Sequence, residues 1–555
     1  MNGADFYEAH RAVLDRAVTA IDTREYWSPF PETPSRSVYG ETAAADGEKA
    51  FQALLGTEFP LEVPGATGPV STERSPYGFP LGISYPHSSV PAMVAAARVG
   101  LPAWRAAGPQ ARAGVAAEIL HRLGGRSFEM AHAVMHTTGQ PFVMAFQAGG
   151  PHAQDRGLEA VGYALAESTR QPGRARWEKP QRGTDPLVLE KTFTVVPRGV
   201  AVVIGCNTFP TWNGYPGLFA SLVTGNPVIV KPHPGAVLPL ALTVQVAREV
   251  LAEAGHNPDL VILAAEEPDE RMAVELATHP DVRIVDFTGS SEFGNWLEKN
   301  ARQATVFTEK SGLNAIVVDS TDDYRGMLRN LAFSLSLYSG QMCTAPQNVL
   351  VPRAGIDTDA GHRSIDEFGA DLAAALDKLL GDPKRALGTL GAIVNDAVLH
   401  RLDEAPSHGT VVHNSEPVED PDHRDAVIRT PLVVRLDAGD EQVYTREWFG
   451  PVSFVVGTDS TEHSLSILRD TVERHGALTA AVYSTDSGVI DAAREAALDA
   501  GVHLSENLTG GVFVNQSAAF SDFHGSGANP AATTALTDPA FVASRFSVLQ
   551  SRRHV

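Results

Sequence analysis

The sequence predicts an α/β fold of two doubly wound units, a Rossmann-type cofactor domain and an α/β catalytic domain, with a small β arm attached. Three observations predict it. At 555 residues the chain is too long for one hydrophobic core, so two or three domains are expected. From Val200 onward short apolar runs alternate with helix-patterned segments, as a parallel sheet flanked by helices requires. The same alternation restarts beyond residue 310.

In chain order, residues 1–180 read as an N-terminal extension followed by the helical part of the cofactor domain. Residues 6–21 have the spacing of an amphipathic helix. Residues 27–90, rich in Pro, Gly and Ser, are expected to wrap another domain as coil, with Trp27, Phe30 and Tyr39 as packing residues. Apolar spacing of three and four marks helices within 93–97, 111–123 and 128–138, the last capped by Gly139. His132 and His136 lie on that helix with no glutamate between them, and no CxxC occurs, so they read as packing and no metal is expected.

Residues 181–199 read as an oligomerisation hairpin, with strands at 187–189 and 192–196 around Glu190 and Lys191. The Rossmann-type domain spans 200–309, with strands at 200–204, 228–230, 260–264 and 284–287. The catalytic domain spans 310–516, with strands at 315–318, 348–351, 452–456 and 478–483. Residues 517–540 are a return segment. Residues 541–555 hold a second oligomerisation strand, an edge at 543–549 able to pair with the 187–196 arm. The arm predicts a homodimer or homotetramer.

The bulk numbers exclude several classes. Forty-four Lys and Arg against 66 Asp and Glu give a net charge of −22, which argues against a nucleic-acid or anionic-membrane binder. Two cysteines, Cys206 and Cys343, cannot make a disulfide framework and suit a reducing cytoplasm. The first 18 residues carry five charges and lack the apolar core of a signal peptide. No uncharged apolar run approaches the roughly 20 residues a bilayer span needs.

The chemistry concentrates around Tyr338-Ser339-Gly340-Gln341-Met342-Cys343. The Gly-Gln pair suggests a thiol exposed at the mouth of a helix, where the N-terminal dipole favours thiolate. Glu309 lies 34 residues upstream in Thr308-Glu309-Lys310-Ser311-Gly312-Leu313-Asn314. A nucleophilic thiol and a water-activating carboxylate suit aldehyde oxidation through a thioester. Strand 284–287 runs through Thr288-Gly289-Ser290 to Gly294, a turn whose free amides can face a phosphate. Arg446-Glu447-Trp448-Phe449-Gly450-Pro451 lies between elements of the second unit.

These segments, in this order over roughly residues 100–550, resemble the aldehyde dehydrogenase superfamily. The resemblance implies that Cys343 attacks the aldehyde, that its own amide helps hold the oxyanion, and that Glu309 activates the hydrolytic water. It implies NAD or NADP, with Gly289, Ser290 and Gly294 in the cofactor turn. Lys231 would hold the adenosine ribose, Glu447 the nicotinamide ribose, and Phe449 would pack by the nicotinamide.

Three departures stand out. The family's oxyanion asparagine precedes Phe-Pro, where this chain has Asn207-Thr208-Phe209-Pro210. Thr208 lies 23 residues before Lys231, as in the family, whereas Asn213 lies 18 before it, so Asn207 or Thr208 is expected at the hole, with Asn207 preferred. Pro234 stands where NAD-preferring members carry a glutamate, which permits and favours NADP, with His233 a possible contact. Phe523-His524-Gly525-Ser526-Gly527 replaces a glycine-rich loop at the substrate mouth. The whole looks most like the PaaN-type phenylacetate-degradation proteins, whose relatives oxidise ring-opened CoA-thioester semialdehydes. A CoA-acylating enzyme and a non-catalytic cofactor binder are the competing readings.

Overall fold

A computed structural model describes residues 2–267 and 269–555. The first helix, Gly3–Thr23, begins at a capping box in which Asn2 and Asp5 satisfy each other's main-chain amides. Its buried face, with Phe6, Leu14, Ala17 and Ile21, packs on the long helix Val90–Gly125 and on Pro151–Thr169. Ser127–Thr138 ends at Gly139 in the left-handed region, the expected cap. His132 and His136 stack on Phe51, and Ser75 Oγ lies 3.0 Å from His136 Nδ1.

Residues 27–90 hold more regular structure than their composition suggested. Ala43–Leu54 is a helix that buries Phe51, and Ala66–Val70 pairs with Tyr85–Ser88. Gly47 lies inside this helix, where a Cβ would stand 2.4 Å from Phe128 Cβ, and Gly68, Pro69 and Pro86 lie within the short, irregular strand pair. The segment does wrap the cofactor domain: the Glu73 carboxylate accepts the main-chain amides of Val237 and Leu238, which open the helix Leu238–Glu253.

The cofactor domain is built on five parallel strands in the spatial order Val261–Leu263, Val228–Lys231, Val200–Ile204, Val282–Gly289 and Thr305–Lys310. Two inner strands, Val200–Ile204 and Val228–Lys231, are shielded on both faces, which is why their sequences run Val-Ala-Val-Val-Ile and Val-Ile-Val rather than alternating. The second domain is a seven-stranded sheet in the order Thr410–His413, Leu432–Asp437, Val452–Thr458, Asn348–Pro352, Ala315–Val318, Thr479–Tyr483 and His503–Glu506. Only its first pair is antiparallel. Among the described residues no helix is long and apolar enough to cross a membrane.

The arm differs from expectation. Residues 187–189 and 192–196 are parts of one strand, Thr184–Pro197, which turns at residues 182–183 onto Arg174–Gln181 and pairs on its other edge with Phe546–His554. Glu190 and Lys191 do not break it because both face solvent, and Glu190 meets Arg553 at 2.6 Å. The C-terminal strand begins at Phe546, and helix Pro539–Ala543 precedes it.

Arg545 locks this end of the chain to the cofactor sheet. Its guanidinium is fully buried, donates to both Asp286 carboxylate oxygens and to Ser221 Oγ at 2.8 Å, and lies over the rings of Phe307 and Phe541. Removing one partner of such a pair strands a buried charge, at about 3–5 kcal/mol. Arg545→Ala is therefore expected to lower the urea unfolding midpoint sharply while Arg553→Ala, on the exposed end of the same strand, leaves it within error.

Candidate active site

Helix Tyr324–Ser336 stops where Tyr338, Ser339 and Gly340 take successive left-handed φ values of 54°, 50° and 64°. Two non-glycine residues in this region cost about 1–2 kcal/mol each. Tyr338, fully buried, offsets part of that by donating its hydroxyl to the Thr138 carbonyl, and Ser339 Oγ donates toward the carbonyls of Gly391 and Arg429 at 3.0 and 3.1 Å. At Gly340 a Cβ would lie 2.3 Å from the Gly450 carbonyl oxygen, so only glycine lets the loop touch the 446–452 segment. Asn314 then anchors the far side of the loop, its Nδ2 donating to the carbonyls of Cys343 and Ala345.

The turn corrects one expectation. Cys343 comes after a helix end instead of opening a helix, so it gains no dipole from a helix of its own. Burial, and after it the charge of Glu309, push the thiol pKa well above its usual value. The resting nucleophile is a thiol, and it needs a proton acceptor when it attacks.

That acceptor is adjacent. Glu309, near the end of strand Thr305–Lys310, is buried and takes hydrogen bonds from Asn213 Nδ2 to both oxygens, at 3.1 and 3.2 Å. His524 Nε2 lies 3.0 Å from Glu309 Oε1 and 3.9 Å from Cys343 Sγ. Ligand atoms of Glu309, Cys343 and His524 lie within 4.8 Å of one another, the one grouping among the described residues with metal-ligand spacing.

The asparagine expected at this site is a second correction. Asn207 donates to the Thr137 carbonyl at 3.2 Å and lies against Gly235, outside the cavity. Asn213, on the first turn of helix Pro210–Val223, is the one that faces Glu309. Counting back from Lys231 misled because that count includes the length of the helix and its exit loop, neither of which fixes where the first turn points. His524 was passed over as part of an altered loop; its signal was a titratable side chain directly before Gly-Ser-Gly in that loop.

Cys343 sits between two recesses. On one side is a cavity of about 550 Å³ walled by Trp27, Phe30, Phe209, Trp212, Phe333 and Phe513, with Glu32, Asp155 and Asp522 among its polar groups. Trp27 and Phe30 thus line the site, while Tyr39 packs apart from them on Phe128 and Phe146. On the other side is a narrow crevice lined by Ser311, Gly312, Glu447, Phe449 and Gly450. Burial raises the Glu447 carboxyl pKa, and a hydrogen bond from Ser311 opposes the shift.

The remaining predicted cofactor residues divide by role. Gly289 and Ser290 sit where strand Val282–Gly289 meets helix Ser291–Asn300, and the Ser290 hydroxyl caps that helix by accepting from Phe293. Gly294 lies flat on Lys310, whose side chain a Cβ would strike at 2.6 Å. His233 is exposed, its Nδ1 accepting from the Gly235 amide. Lys231 is buried and pairs with Glu266, a residue that stands in no distinctive motif. Glu266 Oε2 is buried with no hydrogen-bond partner. An open acceptor beside a lysine at a strand end fits a ribose hydroxyl, and the Glu447 crevice fits a flat ring against Cys343, so these residues fit a dinucleotide.

Residues 85–533 match the model of the aldehyde dehydrogenase family. Among solved structures, an NAD-dependent aldehyde dehydrogenase from Burkholderia multivorans is 57% identical, with a TM-score of 0.98 over 99% of both chains. The 1-pyrroline-5-carboxylate dehydrogenase of Bacillus subtilis is 24% identical over 92% of this chain and 95% of its own. The N-succinylglutamate 5-semialdehyde dehydrogenase of Chromobacterium violaceum is 29% identical over 69% of this chain and 74% of its own.

The two asparagines separate cleanly by experiment. Asn213→Ala is expected to lower Cys343-dependent turnover by about tenfold to a hundredfold, as removal of a polarised amide donor does. Asn207→Ala should stay within about twofold of the parent, since its side chain bonds only main chain outside the cavity.

Proposed function

The chain belongs to the aldehyde dehydrogenase family, and from that premise we propose that it oxidises an aldehyde to a carboxylic acid through a thioester on Cys343, using NAD. One observation carries the proposal: the Cys343 sulfur, the Glu309 carboxylate and the Asn213 amide meet at the junction of an aromatic cavity and the Glu447–Phe449 crevice. Lys231, Glu266 and Glu447 would hold NAD, which would supply the hydride acceptor.

The side chains do the rest. Glu309 takes the thiol proton as sulfur attacks the aldehyde carbon. The oxygen's growing charge meets the Cys343 main-chain amide and Asn213 Nδ2. Glu309, proton released, later deprotonates the water that hydrolyses the thioester. A buried base beside the thioester favours hydrolysis over transfer to CoA. Asn213 supplies the amide whose apparent loss at Thr208 was the ground for a non-catalytic reading.

The cavity wall bears on substrate class. Among the described lining residues there is no Lys or Arg, while Glu32, Asp155 and Asp522 are present. The names of the two curated relatives describe carboxylated substrates; an anionic substrate needs a cationic partner when desolvated, and the lining histidines, His152 and His524, already pair with Glu32 and Glu309. The substrate we propose has an aromatic or apolar body, as in the degradation of phenylacetate and other aromatics. A ring-opened semialdehyde, free or CoA-linked, belongs to that class in the PaaN-type reading. Trp177, Leu187, Val548 and Leu549 leave apolar surface exposed on the arm, which fits pairing with another copy of the chain in a dimer or tetramer.

Turnover of a panel of aromatic, aliphatic, carboxylated and CoA-linked aldehydes, followed by reduced-cofactor absorbance, tests this. Uncharged aromatic-bodied aldehydes should show a kcat/KM at least about tenfold above dicarboxylic semialdehydes. Cys343→Ala should abolish the reaction, and Glu309→Gln should accumulate acyl-enzyme visible by mass spectrometry. Preference for dicarboxylic semialdehydes would refute the substrate class, and intact turnover in Cys343→Ala would refute the nucleophile.

Cofactor choice turns on Glu266. Pro234 removes the usual carboxylate and suggested NADP, yet the carboxylate of Glu266 stands on Lys231 from the neighbouring strand and opposes a second phosphate at the ribose. Glu266→Gln is expected to weaken NAD binding and tighten NADP binding, narrowing the ratio of their dissociation constants by about tenfold or more, as read by fluorescence titration of the protein.

A further inference from the structure

His524 is held in one tautomer by a chain of donors that starts at a buried cation. Arg156 is fully buried and can only donate. Its Nη2 donates to Ser517 Oγ at 3.0 Å, which leaves the serine proton for His524 Nδ1, 3.4 Å away. Nε2 faces the Glu309 carboxylate, an acceptor, at 3.0 Å, which places the ring proton on Nε2, 3.9 Å from Cys343 Sγ, and makes Nδ1 the acceptor of the Ser517 hydroxyl. The ring cannot turn away. Trp212 packs against it in a T-shaped pair with centroids 4.6 Å apart, Arg156 lies over that indole at 5.1 Å, and the loop is set by left-handed Gly525.

Resting on the function proposed above, we propose that His524 is a catalytic residue of this site, a single Nε2–H donor shared by two anions in succession. Before reaction it donates to the Glu309 carboxylate. When Glu309 takes the thiol proton, the S–H bond breaks, an O–H bond forms on Glu309, and the negative charge moves from carboxylate to sulfur. The Nε2–H, already in contact with both atoms, then donates to the thiolate as the S–C bond forms. His524 neither gains nor loses a proton, so the step balances within Cys343 and Glu309. The donor serves the reacting pair in either charge state of the ring, and a protonated ring adds attraction to both anions.

The arrangement answers a difficulty set by the site itself. Burial and Glu309 both disfavour the thiolate at Cys343, and Cys343 opens no helix whose dipole would offset them. A hydrogen bond to a charged partner in a dry site is the compensation available. The other charged and titratable groups around the ring are Cys206 behind Asn213, Arg156 and Asp155 on helix Pro151–Thr169, and Asp522 on the same segment. Glu32 and His152 pair with each other at the cavity mouth.

The test is the rate at which iodoacetamide labels Cys343 in the NAD-free protein as a function of pH, read by mass spectrometry of the Cys343 peptide. His524→Leu is expected to label about tenfold to a hundredfold more slowly near neutrality, with its profile displaced to higher pH. His524→Gln, which keeps an amide donor of similar reach, should recover much of the rate, and His524→Asn, one methylene shorter, should not. Should the leucine variant fail to fold, the Gln and Asn pair decides. Labelling of His524→Leu along the parent profile, or equal rates for Gln and Asn, would overturn the proposal. Cys343→Ala separates the two claims. Retained aldehyde oxidation there defeats the proposed function, whereas loss of activity there with a parent-like profile in the His524 variants defeats only the shared-donor role.

Discussion

The Asn314 side chain spends its full hydrogen-bonding capacity on main chain. Nδ2 donates to the carbonyls of Cys343 and Ala345 at 2.8 and 3.0 Å, and Oδ1 accepts from the amides of Leu478 and Thr479 at 3.0 and 3.1 Å. Asn314 stands five residues after Glu309, at the point where the chain passes from the cofactor sheet to the catalytic sheet. One amide thus sets the thiol loop close behind the strand that delivers the carboxylate and against the start of strand Thr479–Tyr483. Loss of this amide would leave four main-chain groups of the thiol loop and the neighbouring strand unsatisfied, each costing about 1–3 kcal/mol. The carboxylate, five residues upstream of the anchor, is thereby kept close to the loop that carries the sulfur.

Around this fixed pair the walls come from segments far apart in the chain. Trp27 and Phe30 arrive from the N-terminal extension, Phe209 and Trp212 from the start of a cofactor-domain helix, and Ser517 and His524 from the return segment. Trp27 packs on Phe520 edge-to-face with centroids 5.1 Å apart, so the extension and the return segment brace each other across the cavity. The first hundred residues thereby have a place in the chemistry: they close the substrate side of a pocket whose other contents belong to the two sheets.

Much of this was legible in the sequence because it obeys local rules. Continuous Val and Ile runs marked strands buried on both faces, and strand-turn-helix alternation marked parallel sheets. The pair Cys343 and Glu309 was visible because each stands in a distinctive run. What the sequence hid depended on orientation. Asn207 and Asn213 differ in which side of a helix start they face, and no spacing rule reads that. Glu266 and His524 act on Lys231 and Glu309 only because neighbouring strands and a late loop bring them together. The coil expected over 27–90 concealed a helix, since Pro and Gly were counted over the whole stretch. Glu190 and Lys191 looked like a break because charge was read as a turn signal, whereas on an exposed strand it is only the solvated side.

The Arg545–Asp286 pair has a consequence for how the molecule comes into being. Phe6 and Val542, close to opposite ends of the chain, belong to one hydrophobic core, and Asp286 reaches its partner only through residue 545. During synthesis the catalytic half emerges complete while the cofactor half still waits for its final residues. The cofactor core therefore closes only after the catalytic sheet has been made, and a nascent chain carries an uncompensated Asp286 carboxylate until its partner, 259 positions later, has emerged.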